Sequence, residues 1–225
     1  MERRILLTGD GSHTVSIPGA GVTYHSMHGA AQESRHIFIE AGLKPLITQS
    51  RPLNVFEMGF GTGLNALLTL ELAAGNNLAI HYVAAEPNPL AAEEYSMLNY
   101  CVVLQLQHLT PMFTAMHAAG YEKDVLIHPE FTLHKTMKVE TKTNWTNRFD
   151  LVYYDAFAPG DQPEMWTENA FATMFDLLNN DGILVTYSSK GAVRRALAAV
   201  GFEVEKLPGP MGKREITRAK KKYNI

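Results

Sequence analysis

Residues 55–65, VFEMGFGTGLN, constrain this chain more than any other stretch. Leu53, Val55 and Phe56 form a short apolar run that reads as a buried strand, and Glu57 stands at its end. Gly59, Gly61 and Gly63 follow at alternate positions, after which Leu64, Leu67, Leu68, Leu70 and Leu72 begin a helical pattern. Strand, glycine turn and helix in that order is how an α/β sheet presents a nucleotide. Glycine lets the backbone come close to the ligand, and the helix N-terminus faces it. The spacing is G-x-G-x-G, not the G-x-G-x-x-G of dinucleotide sites. An acid directly before the glycines would repel a pyrophosphate and suits a cation instead.

S-adenosylmethionine, with an ammonium and a sulfonium, has that charge. Residues 80–89 (IHYVAAEPNP) repeat the pattern one helix later: a buried strand ending in an acid, Glu86. One carboxylate there can accept from both hydroxyls of a ribose, the alternative being a cap on the next helix. Residues 147–159 (NRFDLVYYDAFAP) read as a further strand, opened by Asp150 and ended by Asp155, and residues 131–138 as a poorer one. Residues 29–41 read as a helix with Gly42 just past its end, where Glu33 on a solvated face is the plainer account. Residues 90–119 read as helical, residues 163–178 as an amphipathic helix, and Asn179-Asn180-Asp181-Gly182 as a turn. A strand at 183–187, a helix at 192–200 closed by Gly201, and strands at 202–207 and 215–219 complete the chain.

This alternation predicts a doubly wound, mostly parallel seven-stranded sheet of the Rossmann-like kind. Ligands of such a sheet gather at the carboxyl ends of its strands, so Glu57, Glu86 and Asp155 should meet at one crevice. Ahead of it, Gly-Asp-Gly and Gly-Ala-Gly punctuate short alternating runs, predicting a β-hairpin appendage over 1–28 and the main domain over 29–225. A chain of 225 residues suits one such domain. The lone Cys101 excludes an internal disulfide and a cysteine-based zinc site, and the nine histidines show no metal spacing. With neither a signal segment nor a membrane-length apolar run, the expectation is a soluble, cytoplasmic protein, most simply a monomer. A net charge of −3 gives no global attraction to nucleic acid. Half of the 20 basic residues nevertheless fall in the last stretch: Lys190, Arg194, Arg195, Lys206, Lys213, Arg214, Arg218, Lys220, Lys221 and Lys222. A local basic face of that kind can bind phosphates, although a solvated surface accounts for any single lysine.

EMGFGTGLN, YYDAFAPGDQPEMW, the early YHSMHGAAQESRHIFIEAGL and the late LPGPMGKREITRA together resemble the MnmC-type methyltransferases. These enzymes use S-adenosylmethionine to methylate the amine of 5-aminomethyl-2-thiouridine at the tRNA wobble position. The resemblance implies the class I methyltransferase fold, tRNA as substrate, and the form that lacks the FAD-dependent oxidase domain. It implies that Tyr24, Glu57, Gly59, Gly61, Gly63, Leu64, Asn65 and Glu86 surround the cofactor and that Asp155 faces the transferred methyl group. Glu33, Phe157, Lys213 and Arg214 would then contact the substrate. One departure stands out. Thr136 and Met137 occupy the place after the third strand where such enzymes usually carry an acid near the adenine. Two other readings share these features: an aminopropyltransferase acting on a small amine, and a non-catalytic homologue that binds RNA or cofactor.

Overall fold

The computed structural model describes residues 2–48, 51–137 and 148–222. Three short antiparallel strands come first, β1 (Arg4–Leu7), β2 (His13–Ile17) and β3 (Val22–Thr23), paired in that order. The turn between β1 and β2 then caps the next helix across space. Thr8 Oγ1 and Ser12 Oγ accept from the N–H groups of Ala30 and Ala31, and Asp10 Oδ2 accepts from that of Gln32. These are the donors that a helix start leaves open. A Cβ on Gly29 would lie 2.7 Å from Asp10 Oδ2, so only glycine admits this capping turn.

Helix α1 (Ala30–Ser34) continues as a wide π-helical segment, Arg35–Leu43. Gly42 therefore lies inside the helix, not beyond its end. A Cβ there would meet Val185 Cγ2 at 3.0 Å and Tyr153 at 3.3 Å, and its absence lets this helix sit tightly on the sheet.

The main sheet is built from β4 (Leu53–Met58), β5 (Ile80–Ala85), β6 (Asp124–His128), β7 (Phe131–Thr136), β8 (Phe149–Tyr154), β9 (Leu178–Thr186), β10 (Phe202–Pro208) and β11 (Glu215–Lys221). Their order is β10-β11-β9-β8-β4-β5-β7-β6. The five strands from β9 to β7 run parallel, while β11 pairs antiparallel with both β9 and β10, and β6 antiparallel with β7. The described sheet thus has eight strands where the sequence predicts seven. The unpredicted one, β6, is a short edge strand, its three apolar residues flanked by Asp124 and His128 and its Leu126 70% exposed, unlike a strand buried on both faces. The strand predicted over 131–138 ends at Thr136; Lys138 and Asn147 lie outside the described residues.

Helices α2 (Leu64–Asn76) and α7 (Gly191–Val200) form as the patterning predicts, whereas the helix predicted over 163–178 is a 3₁₀ turn, Pro163–Trp166, followed by α6 (Glu168–Leu177), which Thr167 caps. The predicted helical stretch 90–119 is instead three helices, α3 (Ala92–Tyr95), α4 (Tyr100–Val103) and α5 (Thr110–Ala118). The predicted turn at Asn179–Gly182 is absorbed into β9 as a wide bulge, with Leu178 opposite Phe149 and Ile183 opposite Leu151.

Along β4 successive side chains serve opposite faces. Val55 packs into the core under α2 and the π-helical segment, and Phe56 into the core under α6 and α7. The central β4 has β5 on one side and β8 on the other. This reversal of winding direction opens a crevice above the strand ends.

Candidate active site

That crevice is a cleft of about 550 Å³. Of the residues singled out from the sequence, it is lined by Tyr24, Glu33, Gly59, Gly61, Leu64, Asn65, Glu86, Asp155, Phe157 and Lys213. Glu57 and Gly63 are not part of its lining, and Arg214 lies exposed outside it.

The glycine turn forms the floor. Gly59 has φ +92° and Gly61 φ +51°, a left-handed region that a side chain disfavours. A Cβ on Gly59 would sit 3.0 Å from the Asp155 carbonyl, and one on Gly61 would sit 3.0 Å from the Tyr24 ring. The turn is thus pressed between β8 and the N-terminal appendage. Glu86, at the end of β5, accepts from Gly61 N–H at 2.8 Å and from Asn88 N–H at 2.7 Å, so it ties the glycine turn to its own loop. From the appendage, Arg3 donates to the carbonyls of Asn88 and Pro89 and pairs with Glu94 at 3.0 Å.

Asn65, in the first turn of α2, is the hinge of the polar network. Its Nδ2 donates to Glu57 Oε1 and to Asp155 Oδ2, each at 2.9 Å. Two acceptors on one side leave the amide oxygen turned away from them. Asn65 Oδ1 is buried without a hydrogen-bond partner among the described residues, whereas Glu57 has the buried Tyr82 hydroxyl beside it as a second donor. Burial pushes the Glu57 carboxyl well above the ordinary range, against the Asn65 hydrogen bond. Enclosure does the same to Asp155, with the charge of Glu33 adding to the effect and Asn65 and Lys213 opposing it. Two acids whose ionised forms lack a direct cationic partner, beside the unpartnered Asn65 oxygen, would be favoured by a positively charged ligand.

The opposite wall brings together residues far apart in sequence. Glu33 is only 7% exposed, contrary to the solvated helix face expected of it. Its Oε2 accepts from Ser26 N–H at 2.8 Å, and its Oε1 pairs with Lys213 Nζ at 2.9 Å. The Lys213 ammonium also lies 4.2 Å from the centre of the Tyr187 ring. Tyr24 meets Phe157 edge-on at 5.2 Å, and Trp166 Nε1 holds the Phe157 carbonyl at 2.8 Å.

Several lining residues escaped the sequence reading. Tyr187 follows the end of β9, where the strand-end rule that marked Asp155 would also have found it. His25 is buried between Thr14 and Thr62, and burial lowers its pKa to about 4, leaving it neutral. Outside the lining, Glu122 carries no sequence signal at all. Its Oε1 accepts from Thr136 Oγ1 and from Met137 N–H, each at 3.0 Å, so an acid does reach the end of β7, from the segment before β6. Beside it Lys135 is buried, donating to the His117 carbonyl at 2.7 Å, and desolvation brings its pKa down to about 8.

The basic C-terminal stretch divides. Arg194, Arg218, Lys220 and Lys222 are paired with Glu215, Glu205, Asp181 and Glu203. Lys221 is buried and donates to the carbonyls of Phe175 and Leu178 at the end of α6. Lys190, Arg195, Lys206 and Arg214 are exposed. Among the described residues no group of three or more His, Cys, Asp or Glu side chains is placed to hold a metal ion, and no helix is long and apolar enough to cross a membrane.

Comparison with known proteins agrees with this geometry. A family described as S-adenosyl-L-methionine-dependent methyltransferase matches residues 130–222. The tRNA 5-methylaminomethyl-2-thiouridine biosynthesis bifunctional protein MnmC of Magnetococcus marinus is 33% identical over 205 residues, covering 88% of this chain and 31% of that protein. Its counterpart in Chromobacterium violaceum is 32% identical over 213 residues, covering 88% and 32%. The crystal structure of MNMC2 from Aquifex aeolicus superimposes with a TM-score of 0.77 at 25% identity, over 100% of this chain and 72% of that one. The chain is a homologue of the MnmC methyltransferase domain. It spans about a third of the length of the bifunctional MnmC relatives, and it has the class I S-adenosylmethionine-dependent methyltransferase fold. Spermidine synthase from Thermotoga maritima, at a TM-score of 0.61 and 14% identity over 99% of this chain and 69% of that one, shares the fold. The MnmC-like cleft fits S-adenosylmethionine on its own chemistry: Asn65, which lines it, has an amide oxygen in want of a donor, which an ammonium supplies.

Proposed function

We propose that this MnmC-like methyltransferase methylates the primary amine of 5-aminomethyl-2-thiouridine at the wobble position of tRNA. The observation that carries the reading is the placement of Asp155: a cleft-lining carboxyl at the end of a central strand, of raised proton affinity, joined through Asn65 to the glycine turn. Gly59, Gly61, Leu64 and Asn65 would hold the methionine end of the cofactor, with Glu57 acting behind them through Asn65 and Gly63 shaping the turn, and Glu86 would hold the ribose, with Tyr24 and Met137 as walls. When bound, S-adenosylmethionine supplies an electrophilic methyl group: the nitrogen lone pair forms the new C–N bond while the C–S bond breaks and its electrons stay on sulfur.

The residues of the chain prepare the nitrogen. An alkylamine is mostly protonated at neutral pH and then has no lone pair to offer. Ionised Asp155 accepts that proton or the one released on alkylation, and its raised affinity brings it closer to the amine's own. Its negative charge also offsets the positive charge growing on nitrogen. Phe157 and Tyr24, packed edge to face, offer apolar surface for a base. Exposed Lys190, Arg195, Lys206 and Arg214 are candidates for the phosphates of the RNA.

The test is to incubate the protein with S-adenosylmethionine and wobble-hypomodified tRNA and to analyse the nucleosides by mass spectrometry. Conversion of 5-aminomethyl-2-thiouridine to its methylated form is the expected result. Cofactor binding with no gain of a methyl group would move the reading to another amine acceptor, and polyamine formation from decarboxylated cofactor would move it to aminopropyl transfer.

A further inference from the structure

Lys213 brings to the cleft a chemical group of the same class as the proposed acceptor: an ammonium at the end of a flexible alkyl chain. The turn between β10 and β11 is closed by hydrogen bonds from Gly209 N–H to the Arg214 carbonyl and from Lys213 N–H to the Pro210 carbonyl. It rests on the segment before α1, for a Cβ on Gly212 would collide with the His28 ring. His36 Nε2 meets the Pro208 carbonyl at 2.8 Å on the same side. The hairpin is thereby held against the element that carries Glu33, and the Lys213 side chain, 27% exposed, enters from the cleft wall.

Its surroundings are those of a bound cation. The buried Glu33 carboxylate is fixed by Ser26 N–H through one oxygen and meets Lys213 Nζ at 2.9 Å through the other. The Tyr187 ring lies 4.2 Å beneath the ammonium, and its hydroxyl is anchored to the Ala156 carbonyl at 2.8 Å, so the ring is held in place. Carboxylate on one side and aromatic face on the other is how proteins recognise ammonium ligands. Asp155 shares this environment, its proton affinity raised by Glu33 and lowered by Lys213.

We infer that Glu33 and the face of Tyr187 form the subsite for the acceptor's ammonium, and that Lys213 occupies it as an internal surrogate which the substrate amine displaces. The inference rests on the reading of the chain as an amine methyltransferase and adds the residues that select a cationic acceptor. Glu33 is on this account a specificity determinant, and Lys213 keeps its carboxylate paired until an amine arrives, since an unpaired buried carboxylate is costly.

The test uses benzylammonium, an aromatic ring bearing an aminomethyl group, against the neutral benzyl alcohol, by calorimetry on the full chain saturated with S-adenosylmethionine. In Lys213→Met, which keeps the apolar stem over Tyr187, benzylammonium should bind at least tenfold more tightly than to the wild type, with benzyl alcohol unchanged. Glu33→Gln should remove the preference for the ammonium. Cofactor affinity within about twofold of wild type shows that each variant is folded, and Lys213→Gln serves if the methionine variant is not. Benzylammonium affinity within twofold of wild type in the lysine variants, or a preference that survives Glu33→Gln, overturns the subsite and leaves an ion pair that only fastens the hairpin. Weaker tRNA binding and a shallower salt dependence in Lys213→Met, without the benzylammonium gain, would make Lys213 a phosphate contact instead. Selective ammonium binding in a protein that fails to methylate tRNA would uphold the subsite and overturn the tRNA reading; methylation without that selectivity would do the reverse.

Discussion

At Asp155 a carboxyl group is held on the wall of the cleft by one amide, that of Asn65, at 2.9 Å. The same amide holds Glu57, so the two acids are oriented by a single neutral donor and neither meets a cation directly through it. Asp155→Asn keeps the shape of the group and removes its capacity to take a proton. The expected outcome is a fall in turnover at saturating cofactor of about 10²- to 10⁴-fold, the usual contribution of a positioned general base, well beyond any loss of cofactor affinity. Single-turnover methylation beside a cofactor titration checks it, and wild-type turnover in the variant would remove Asp155 from the mechanism.

At the scale of elements, the glycine turn and the C-terminal strand show how sequence-local features acquire their roles from neighbours. Gly61 combines a left-handed φ of +51° with a Tyr24 ring 3.0 Å from where a Cβ would stand. Gly61→Ala should cost about 1–3 kcal/mol of stability in denaturant unfolding, and should weaken the cofactor because Tyr24 must move out of the cleft wall. β11 carries Lys221, whose buried ammonium closes the end of α6 by hydrogen bonds to Phe175 and Leu178. Lys221→Met therefore belongs with the stability mutants: a loss of about 1.5–3 kcal/mol, in the range of charged hydrogen bonds, is expected. The salt dependence of tRNA affinity should stay as in the wild type; a shallower slope would return Lys221 to the phosphate-binding set.

For the whole molecule, two enclosed acids with raised pKa values set a pH dependence. Their folded-state pKa lies above the unfolded one, so they favour the fold fully below the unfolded value, about 4. That contribution is lost as pH rises through the folded value. The ligand-free protein should therefore lose stability with rising pH above about 4, at no more than about 1.4 kcal/mol per pH unit for each group. Glu57→Gln should flatten the slope. A bound cation favours the ionised acids, so cofactor affinity should rise with pH over the same window, with proton release. Urea melts at a series of pH values, and calorimetry in buffers of different ionisation enthalpy, measure the two effects. A flat melt series would mean that neither acid changes its protonation on folding.

Much of this protein is local in origin and so can be read from the chain. Apolar runs of strand length, the amphipathic period of α6, and glycines at 59, 61 and 63 act through near neighbours, and the winding order then carries Glu86 and Asp155 to one edge. Residues whose role depends on a distant partner are another matter. Glu33 reads as a surface residue until the hairpin before β11 lays Lys213 on it. Lys221 reads as part of a basic tail until its strand runs beneath the end of α6. Thr136 and Met137 read as the loss of an acid until Glu122 arrives from the segment before β6. Gly42 reads as a helix end until the sheet behind it leaves no room for a side chain. In each case burial and charge are set by what the fold brings up against the residue. Hydrophobic period and turn chemistry decide the elements; desolvation and pairing, which exist only once the elements are packed, decide the site.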